Sequence, residues 1–367
     1  MQKIIGDFNT AIVFAADVEG DAKKQIKTLC DQEFIKESKI RIMPDVHCGA
    51  GCAIGTTLTI EDKVVPNLVG VDIGCGMEVV KLKEKSIDFK KLDDIISTKI
   101  PSGFNIRKKE HFFSSRINLE NLKVKKQVNL KRAKLSIGTL GGGNHFIEVN
   151  EDAQKNLYLV VHSGSRHIGN EVARIYQKKA ANLLSKNSSI PKELAYLSGK
   201  QFEDYLNDMR IIQNFADLNR KAIVEEITNN MKLEIVEQFK TIHNYIDTND
   251  MILRKGAVSA KKEEKFLVPL NMKDGSLICL GKGNPQWNFS APHGAGRIMS
   301  RKKAKKTLNI KQYKQMMQGI YTTSVNRKTI DECPLAYKSS DVIVDNISPT
   351  AEIIERLKPV YNFKAPQ

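Results

Sequence analysis

The chain has 367 residues, of which 41% are hydrophobic and 27% charged, so it can bury a substantial core. Lys and Arg outnumber Asp and Glu by 58 to 42, and the resulting net charge of +16 favours polyanionic partners such as nucleic acid. No apolar run approaches the roughly 18 residues of a membrane span, and no signal-peptide pattern opens the chain, so a cytoplasmic protein without a membrane partner is predicted.

The first 85 residues are predicted to be rich in strands. One amphipathic helix is predicted among them, from about Asp21 to Leu29. Glycine-rich turns separate the β-prone runs, which are Ala11–Ala15, Ile40–Met43, Ile54–Ile60 and Met77–Leu82.

Residues 100–135 are basic and have weak periodicity, which predicts an excursion over the surface. Ten basic and two acidic residues give Arg107–Lys134 a net charge of +8, half of the total. Phe112 and Phe113 in this stretch either stack on bases or are buried. Arg301–Lys306 adds five basic residues in six positions.

The second half of the chain is predicted to contain its longest helix, because apolar residues recur at helical spacing over Lys200–Met231. Before it, the strand Leu157–Val161 ends in a Gly/Ser turn, and a helix follows from about Glu171. Phe266–Leu270 and Ser276–Leu280 flank a turn and predict a β-hairpin.

The order of the predicted elements indicates the fold class. Ser348 followed by Pro349 is typical of a helix N-terminus and predicts a short helix near the end of the chain. Strands and helices do not alternate regularly, which argues against a doubly wound or TIM-barrel layout. We therefore predict an α+β fold of mixed strands and helices around one central site, forming a single domain over residues 1–367.

Six of the seven histidines lie at predicted strand ends or beside glycines. Glycine lets the backbone approach a ligand closely, so this pattern predicts a shared site. The six are His47, His145, His162, His167, His243 and His293.

The segment Val69–Met77 is an apolar strand that runs into a glycine-punctuated turn carrying Asp72 and Cys75. A thiolate, a carboxylate and imidazoles together can hold divalent metals, and one sulfur can bridge two ions. These donors suit Mn, Fe, Co or Zn better than Mg or Ca. The alternative is a buried cysteine in a tight turn that Asp72 caps. The other cysteines form no C-x-x-C pair, so reduced thiols are predicted.

Two glycine-rich runs predict phosphate binding. Backbone N–H groups of Gly138–Asn144 could turn toward an anion, and His293–Arg297 is a second such run. The first run is neither a Walker A sequence nor a dinucleotide fingerprint.

Eight strings follow one another along most of residues 40 to 300. They are PDVHCGAGCAIG (44–55), GVDIGCGM (70–77), GTLGGGNHFIEV (138–149), VHSGSRHIGNEVA (161–173), HNY (243–245), RKGAVSA (254–260), GKGNP (281–285) and HGAGR (293–297). The ordered set resembles the RtcB family of RNA ligases, and Leu357–Lys364 resembles the family's C-terminal lysine segment.

The resemblance implies an RNA ligase that consumes GTP. Members activate an RNA 3′-phosphate, or a 2′,3′-cyclic phosphate that is hydrolysed first, and join it to a 5′-hydroxyl. His293 would be the nucleophile that takes GMP from GTP, and Asp45 would be a supporting or acid/base residue.

The resemblance also implies two metal ions, usually Mn²⁺. Asp72, Cys75 and His145 would hold one ion. Cys75, His162 and His243 would hold the second, with Cys75 bridging.

Further residues are assigned to the nucleotide and to RNA by the same resemblance. Arg166, Arg297 and Arg301 are candidates for contact with RNA phosphates. The candidates for contact with the guanylate are Asn144, His145, Glu148, His243, Asn244, Pro269, Asn271, Met272, Ser276, Gly294, Ala295, Gly296 and Lys364.

The chain departs from the family pattern at two strings. Many members have PGSM where this chain has Pro269-Leu270-Asn271-Met272, and His167 stands where glycine is common. The chain is also shorter than the best-known members. These departures predict that the chain belongs to a divergent subgroup that acts in RNA repair. The alternative role is tRNA splicing. The need for an activating protein, and the choice between monomer and homodimer, stay open.

Two other functions compete with ligation. A metal-dependent phosphoesterase would keep the two metal ions but lack guanylation. An RNA-binding protein without catalysis would use the basic strip alone and would have no need of Cys75, Asp72 and the histidines together.

Overall fold

The computed structural model describes residues 1–185 and 188–365. The helices in these ranges are α1 (Gly20–Cys30), α2 (Phe89–Lys99), α3 (Leu130–Ser136), α4 (Arg166–Leu183), α5 (Gly199–Met231), α6 (Arg301–Thr307), α7 (Ile310–Met316) and α8 (Asp341–Ile347). Among the described residues, no helix is both long and apolar enough to cross a bilayer.

The strands form two large sheets and two small ones. They are β1 (Gln2–Ile5), β2 (Thr10–Val13), β3 (Ile40–His47), β4 (Ile54–Thr59), β5 (Lys63–Val64), β6 (Gly76–Leu82), β7 (Phe146–Glu151), β8 (Leu157–Ser163), β9 (Leu197–Ser198), β10 (Ile235–Ile242), β11 (Asn244–Asp247), β12 (Ile252–Lys255), β13 (Ala257–Ser259), β14 (Lys265–Asn271), β15 (Gly275–Gly281), β16 (Ser290–Pro292) and β17 (Ala351–Lys364).

Neighbouring strands in the larger sheets are mostly antiparallel. The first sheet has the order β1-β2-β3-β4-β12-β11, with β2 and β3 parallel, and the second has the order β10-β6-β8-β7-β17-β15-β14. The pairs β5-β9 and β13-β16 stand apart. This arrangement confirms the predicted α+β class and is neither doubly wound nor a TIM barrel.

The seven-stranded sheet curls until its edge strands β10 and β14 come together. The Leu267 amide donates to Thr241 Oγ1 at 2.9 Å across this gap, and Lys265 pairs with Glu237. Side chains alternate between the two faces of a strand, so Val79 and Val160 pack inside the curl, whereas others face outward against α2 and α5. The outward set on the strands is Val80, Leu82, Ile147, Val149, Leu159 and Val161.

Helix α5 is the longest helix of the described part and confirms the helix predicted over Lys200–Met231. Its buried apolar residues recur every three or four positions, which gives one face that packs on both sheets. It ends where Lys232 adopts a left-handed conformation with φ of 58°. The buried apolar set includes Tyr205, Met209, Ile212, Ala216, Ile223 and Ile227.

The other predicted elements have mixed outcomes. The early strands, helix α1 and the β14–β15 hairpin are confirmed to within a few residues, and α4 begins at Arg166 rather than at Glu171. The helix predicted from Ser348-Pro349 is wrong. Helix α8 ends before this pair, and the chain then forms β17 between β15 and β7. Partners distant in sequence supply the hydrogen bonds of β17, and a local pattern does not reveal them.

The basic segment of residues 100–135 is irregular chain with single helical turns and the short helix α3, and several of its apolar residues join the main core. Phe113 is buried, as one of the two alternatives predicted, and Phe112 is 53% exposed. Asp208 on α5 accepts the Lys123 and Val124 amides at 2.8 and 3.3 Å and fixes the segment to the helix.

Candidate metal and nucleotide site

The candidate metal ligands meet where the two large sheets adjoin. Cys75 precedes β6, and His162 is near the end of β8, both in the curled sheet. His145 precedes β7, the neighbour of β8. His243 lies between β10 of the curled sheet and β11 of the other, and its amide donates to the Cys75 carbonyl at 3.0 Å. Strand pairing therefore brings together residues that are far apart in sequence.

Their side chains form two ligand sets that share one sulfur. Cys75 Sγ lies 3.4 Å from His145 Nε2 and 3.3 Å from His162 Nε2. His145 Nε2 lies 2.9 Å from Asp72 Oδ2. In each of the sets Asp72–Cys75–His145 and Cys75–His162–His243, the ligand atoms lie within 4.8 Å of one another.

The imidazole rings are oriented by the backbone. His145 Nδ1 lies 2.8 Å from the Leu140 carbonyl, and His162 Nδ1 lies 3.1 Å from the Asn144 carbonyl. A carbonyl accepts only from N–H, so each Nδ1 carries a proton, and each Nε2 faces Cys75 as the nitrogen that could bind a metal ion. His243 Nδ1 is buried and has no hydrogen-bond partner in residues 1–185 and 188–365.

Burial and neighbouring charges set the protonation of these groups. Burial, followed by the charge of Asp72, raises the pKa of the Cys75 thiol well above its usual value. Burial also lowers the pKa of His162 and His243, which are therefore neutral. Burial opposes ionisation of Asp72, but the hydrogen bond and charge of His145 outweigh it and lower the pKa of that carboxyl.

The donor set fits a pair of divalent transition-metal ions. Neutral imidazole nitrogens, one carboxylate and one sulfur are borderline-soft ligands, and a bound cation would deprotonate the thiol that burial otherwise keeps neutral. His243, whose buried Nδ1 has no hydrogen-bond partner, would be another ligand of such a cation. Gly164 leaves room for this arrangement, since a Cβ there would lie 2.2 Å from Asp72 Oδ1.

His293 lies on the other side of His243, with 5.1 Å between the ring centroids. It follows β16, and its Nδ1 is 2.6 Å from Oδ2 of the fully buried Asp45 on β3. The same carboxylate oxygen accepts the His293 amide at 3.1 Å. Asp45 therefore holds the proton on Nδ1 and leaves Nε2 with the free lone pair.

A cavity of about 440 Å³ opens beside these groups. Its volume is in the range of small-ligand sites. It is lined by the predicted site residues Asp72, Asn144, Glu148, His162, His243, Asn244, Pro269, Asn271, Met272, His293, Gly294, Ala295, Gly296, Arg297, Arg301 and Lys364. The remaining predicted residues lie outside its lining, and they are Asp45, Cys75, His145, Arg166 and Ser276.

One wall of the cavity carries buried polar groups on β7 and β17. Asn362 Nδ2 donates to Glu148 Oε2 at 2.6 Å, and burial raises the pKa of Glu148 to about 7. Lys364 pairs with Glu332 and donates to the Asn144 carbonyl at 3.1 Å. Burial opposes ionisation of Glu332, but the charges of Lys364 and Arg301 lower its pKa to about 2.

The three predicted RNA-binding arginines have protein partners. Arg301 pairs with Glu332 and lies 2.7 Å from Asp331 Oδ2, and Arg297 Nη2 donates to the Asp331 carbonyl at 2.7 Å. Arg166 lies at the opposite side, with Nη1 3.3 Å from His145 Nδ1. Its φ of 57° places a non-glycine residue in the left-handed region, a strain that is common at functional sites.

The structure changes the interpretation of the first glycine-rich run. Asn219 Oδ1 accepts the Gly138 and Thr139 amides at 2.9 and 3.1 Å, so these two N–H groups do not face an anion. A Cβ at Gly141 would overlap the Arg166 guanidinium, which packs directly on this run. His167, which stands where glycine is common in the family, is an exposed residue beside Glu171.

Two supporting residues on α5, Asn219 and Arg220, were not predicted from the sequence. Asn219 bonds to both the glycine-rich run and the Gly164 carbonyl, and Arg220 Nη1 donates to the Gly74 carbonyl at 2.7 Å. Both side chains are fully buried. Helix α5 also buries other polar residues, such as Asp208 and Asp217, so no pattern in the sequence distinguishes Asn219 and Arg220. No pattern distinguishes the wall residues Asn362 and Glu332 either.

The fold and site define a class: an α+β protein with two adjoining sets of metal-ligating side chains that share one cysteine, beside a cavity of about 440 Å³. The chain belongs to the RtcB family, since the sequence profile described as tRNA-splicing ligase RtcB matches residues 25–365. This confirms the resemblance noted above.

Similar proteins span nearly the whole chain. RNA-splicing ligase RtcB of Escherichia coli K12 is 32% identical, with 95% of each chain covered. tRNA-splicing ligase RtcB of Aeropyrum pernix is 29% identical over 95% of this chain and 94% of its own. tRNA-splicing ligase RtcB of Archaeoglobus fulgidus is 28% identical over 94% and 91%.

Proposed function

We propose that this protein is a GTP- and Mn²⁺-dependent RNA ligase. It joins an RNA 3′-phosphate or 2′,3′-cyclic phosphate to a 5′-hydroxyl through a covalent histidine–GMP intermediate. Membership of the RtcB family and the names of the relatives support ligation of RNA. The Asp45–His293 pair beside the two ligand sets is the observation that carries the finer chemistry.

His293 is the nucleophile in the first step. Its Nε2 attacks the α-phosphorus of GTP, an N–P bond forms, the bond to the β-phosphate oxygen breaks, and pyrophosphate leaves. Nε2 carries no proton, so none has to be removed before the attack. Positive charge develops on the imidazole, and the Asp45 carboxylate 2.6 Å from Nδ1 stabilises that charge.

The RNA reacts in two further steps. An oxygen of the RNA 3′-phosphate attacks the phosphorus of the histidine–GMP, and the electron pair of the N–P bond returns to Nε2 of His293. The RNA 5′-hydroxyl then attacks the 3′-phosphorus, GMP leaves, and the hydroxyl proton is released to solvent. A cyclic phosphate is first opened by water to give the 3′-phosphate.

The metal ions would be held by the two ligand sets that share Cys75. When bound, they neutralise charge on the phosphate oxygens. The cavity wall of Glu148, Asn362 and Lys364 binds the guanylate, and Arg297 and Arg301 face the RNA phosphates. Arg166 contacts RNA on the opposite side, beside His145.

The role that we propose is RNA repair in the cytoplasm, with tRNA splicing as the other role of such an enzyme. The altered turn Pro269–Met272 forms part of the cavity lining, and Asn271 there accepts the Lys273 and Asp274 amides. The guanylate therefore contacts a turn whose sequence differs from the one that many family members have.

Incubation with GTP labelled at the α-phosphate, in the presence of Mn²⁺, tests the proposal. The protein should become covalently labelled and should seal a broken RNA stem-loop with defined termini. His293→Ala should abolish both reactions, and the matched control His167→Ala, which alters an exposed histidine, should not. Full labelling of His293→Ala would remove this residue as the nucleophile, and hydrolysis without labelling would indicate a phosphoesterase.

A further inference from the structure

Phe104 is exposed over 92% of its surface, more than any other large apolar residue in the described part of the chain. It lies between α2 and α3, at the start of the basic segment. An apolar ring in water loses the stabilisation that burial would give. Its exposure therefore needs an explanation.

The loop that carries Phe104 is held firmly on both sides. The Gly103 amide donates to the Gly141 carbonyl at 2.9 Å, and Arg132 Nη2 donates to the Phe104 carbonyl at 3.0 Å. The Arg107 amide also donates to the Leu135 carbonyl at 2.9 Å. These bonds fix the backbone while the ring projects outward, so its exposure belongs to an ordered loop.

This loop adjoins the first ligand set. Arg166 Nη2 donates to the Gly103 carbonyl at 3.2 Å, and its Nη1 lies 3.3 Å from His145 Nδ1. His145 Nε2 in turn lies 2.9 Å from Asp72 Oδ2. A single arginine side chain thus separates the backbone beside Phe104 from a candidate metal ligand.

Basic residues lie close to Phe104 along the chain, or next to Arg132, which bonds to its carbonyl. Lys108, Lys109 and Lys131 are exposed, and no carboxylate of the described residues lies within ion-pair distance of them. Arg132 makes its side-chain bond to a carbonyl, which leaves its charge available. An aromatic ring among unpaired cations is complementary to single-stranded nucleic acid, because the ring stacks on a base and the cations neutralise phosphates.

We propose that Phe104 is a stacking platform for an unpaired nucleobase of the RNA strand next to the break. The inference rests on the proposed ligase function and adds a binding residue on the His145 side of the site, away from the guanylate cavity. Stacking there would hold the strand end while Arg166 contacts its phosphates.

The test compares Phe104→Ala and Phe104→Trp in the full chain. The probe is a fluorescent single-stranded RNA with a 3′-phosphate. Phe104→Ala should weaken binding about 10-fold or more, whereas Phe104→Trp should retain it because the larger ring still stacks. Phe8→Ala, which removes another exposed phenylalanine, should bind like the original protein. GMP labelling of each preparation counts its active molecules.

Salt dependence separates stacking from charge. Phe104→Ala should leave the slope of log affinity against log salt unchanged, because no cation is lost. The double variant Lys108→Ala and Lys109→Ala should reduce that slope. A changed slope in Phe104→Ala would contradict a stacking role.

Abasic RNAs locate the stacked base. Removing a base at one position near the break should weaken binding to the original protein, and the same change should cost nothing further in Phe104→Ala. Equal RNA affinity of Phe104→Ala and the original protein would overturn the inference while GMP labelling still supports the ligase. If the original protein neither binds the RNA nor becomes labelled with GMP, both the inference and the proposed ligase function are overturned. If Phe104→Ala binds RNA normally and loses binding only to a protein partner, the ring belongs to the contact with that partner and the inference is overturned.

Discussion

Nδ1 of His293 and Oδ2 of Asp45 are 2.6 Å apart, although 248 positions separate the two residues in sequence. Asp45 is fully buried, whereas the His293 side chain is 21% exposed at the cavity. One carboxylate thereby fixes both the tautomer and the backbone of the proposed nucleophile.

Asp45→Asn should slow GMP labelling on the order of 10²- to 10⁴-fold. The amide has no charge to stabilise the imidazolium, and it no longer dictates which nitrogen carries the proton. The loss should appear in the rate at saturating GTP rather than in the KM for GTP, because Asp45 does not line the cavity. Asp62→Asn, an exposed carboxylate, is the control. Labelling at the original rate would exclude this positioning role.

Cys75→Ala should remove bound metal without unfolding the protein. Both ligand sets lose their shared sulfur, so elemental analysis should find metal content reduced at both positions. Cys279→Ala removes another buried thiol, which lies in an apolar cluster and belongs to neither ligand set, and should keep its metal. Cooperative thermal unfolding of both variants would establish that they fold. Unchanged metal content in Cys75→Ala would contradict the shared ligand.

Glu148 should make stability fall as the pH rises. Burial raises the pKa of this carboxyl to about 7, so between its unfolded value of 4.5 and about 7 the folded protein binds more protons than the unfolded chain. The stabilisation is fully present below pH 4.5 and is lost as the pH rises through 7, at a total of about 3 kcal/mol.

Glu148→Gln isolates this effect, because the amide cannot titrate. Urea unfolding from pH 5 to pH 9 should show that the free energy of unfolding of Glu148→Gln falls less than that of the original protein. Glu151→Gln, on the same strand, should follow the original curve. Parallel curves for the original protein and Glu148→Gln would show that Glu148 is ionised throughout this range.

Asn219→Ala should lower the free energy of unfolding by about 3 kcal/mol, because it leaves several buried backbone groups without partners. Asn219 accepts two amides and donates to the Thr139 and Gly164 carbonyls at 3.1 Å each. Asn207→Ala, on the exposed side of the same helix, should cost less. Equal losses in urea unfolding would argue against a special role for Asn219.

The sequence was sufficient for the elements whose signal is local. Helix α5 has apolar residues at helical spacing over its length, and the β14–β15 hairpin has two apolar runs around a polar turn. Strand β17 was missed because its hydrogen bonds come from β7 and β15, more than 60 positions away in the chain. The Ser348-Pro349 pattern predicted a helix from local sequence alone, but the pairing of β17 with β7 and β15 determines the conformation of the residues that follow.

The ordered strings also contain the residues that the structure brings together in the two ligand sets and most of the predicted residues that line the cavity. What the sequence by itself determined is which donors exist and which family they resemble. Only the tertiary structure decided that Asn219 occupies the Gly138 and Thr139 amides and that Phe104 remains in water. The physical reason is that hydrogen-bond partners and exposure depend on which distant segments the two sheets bring into contact.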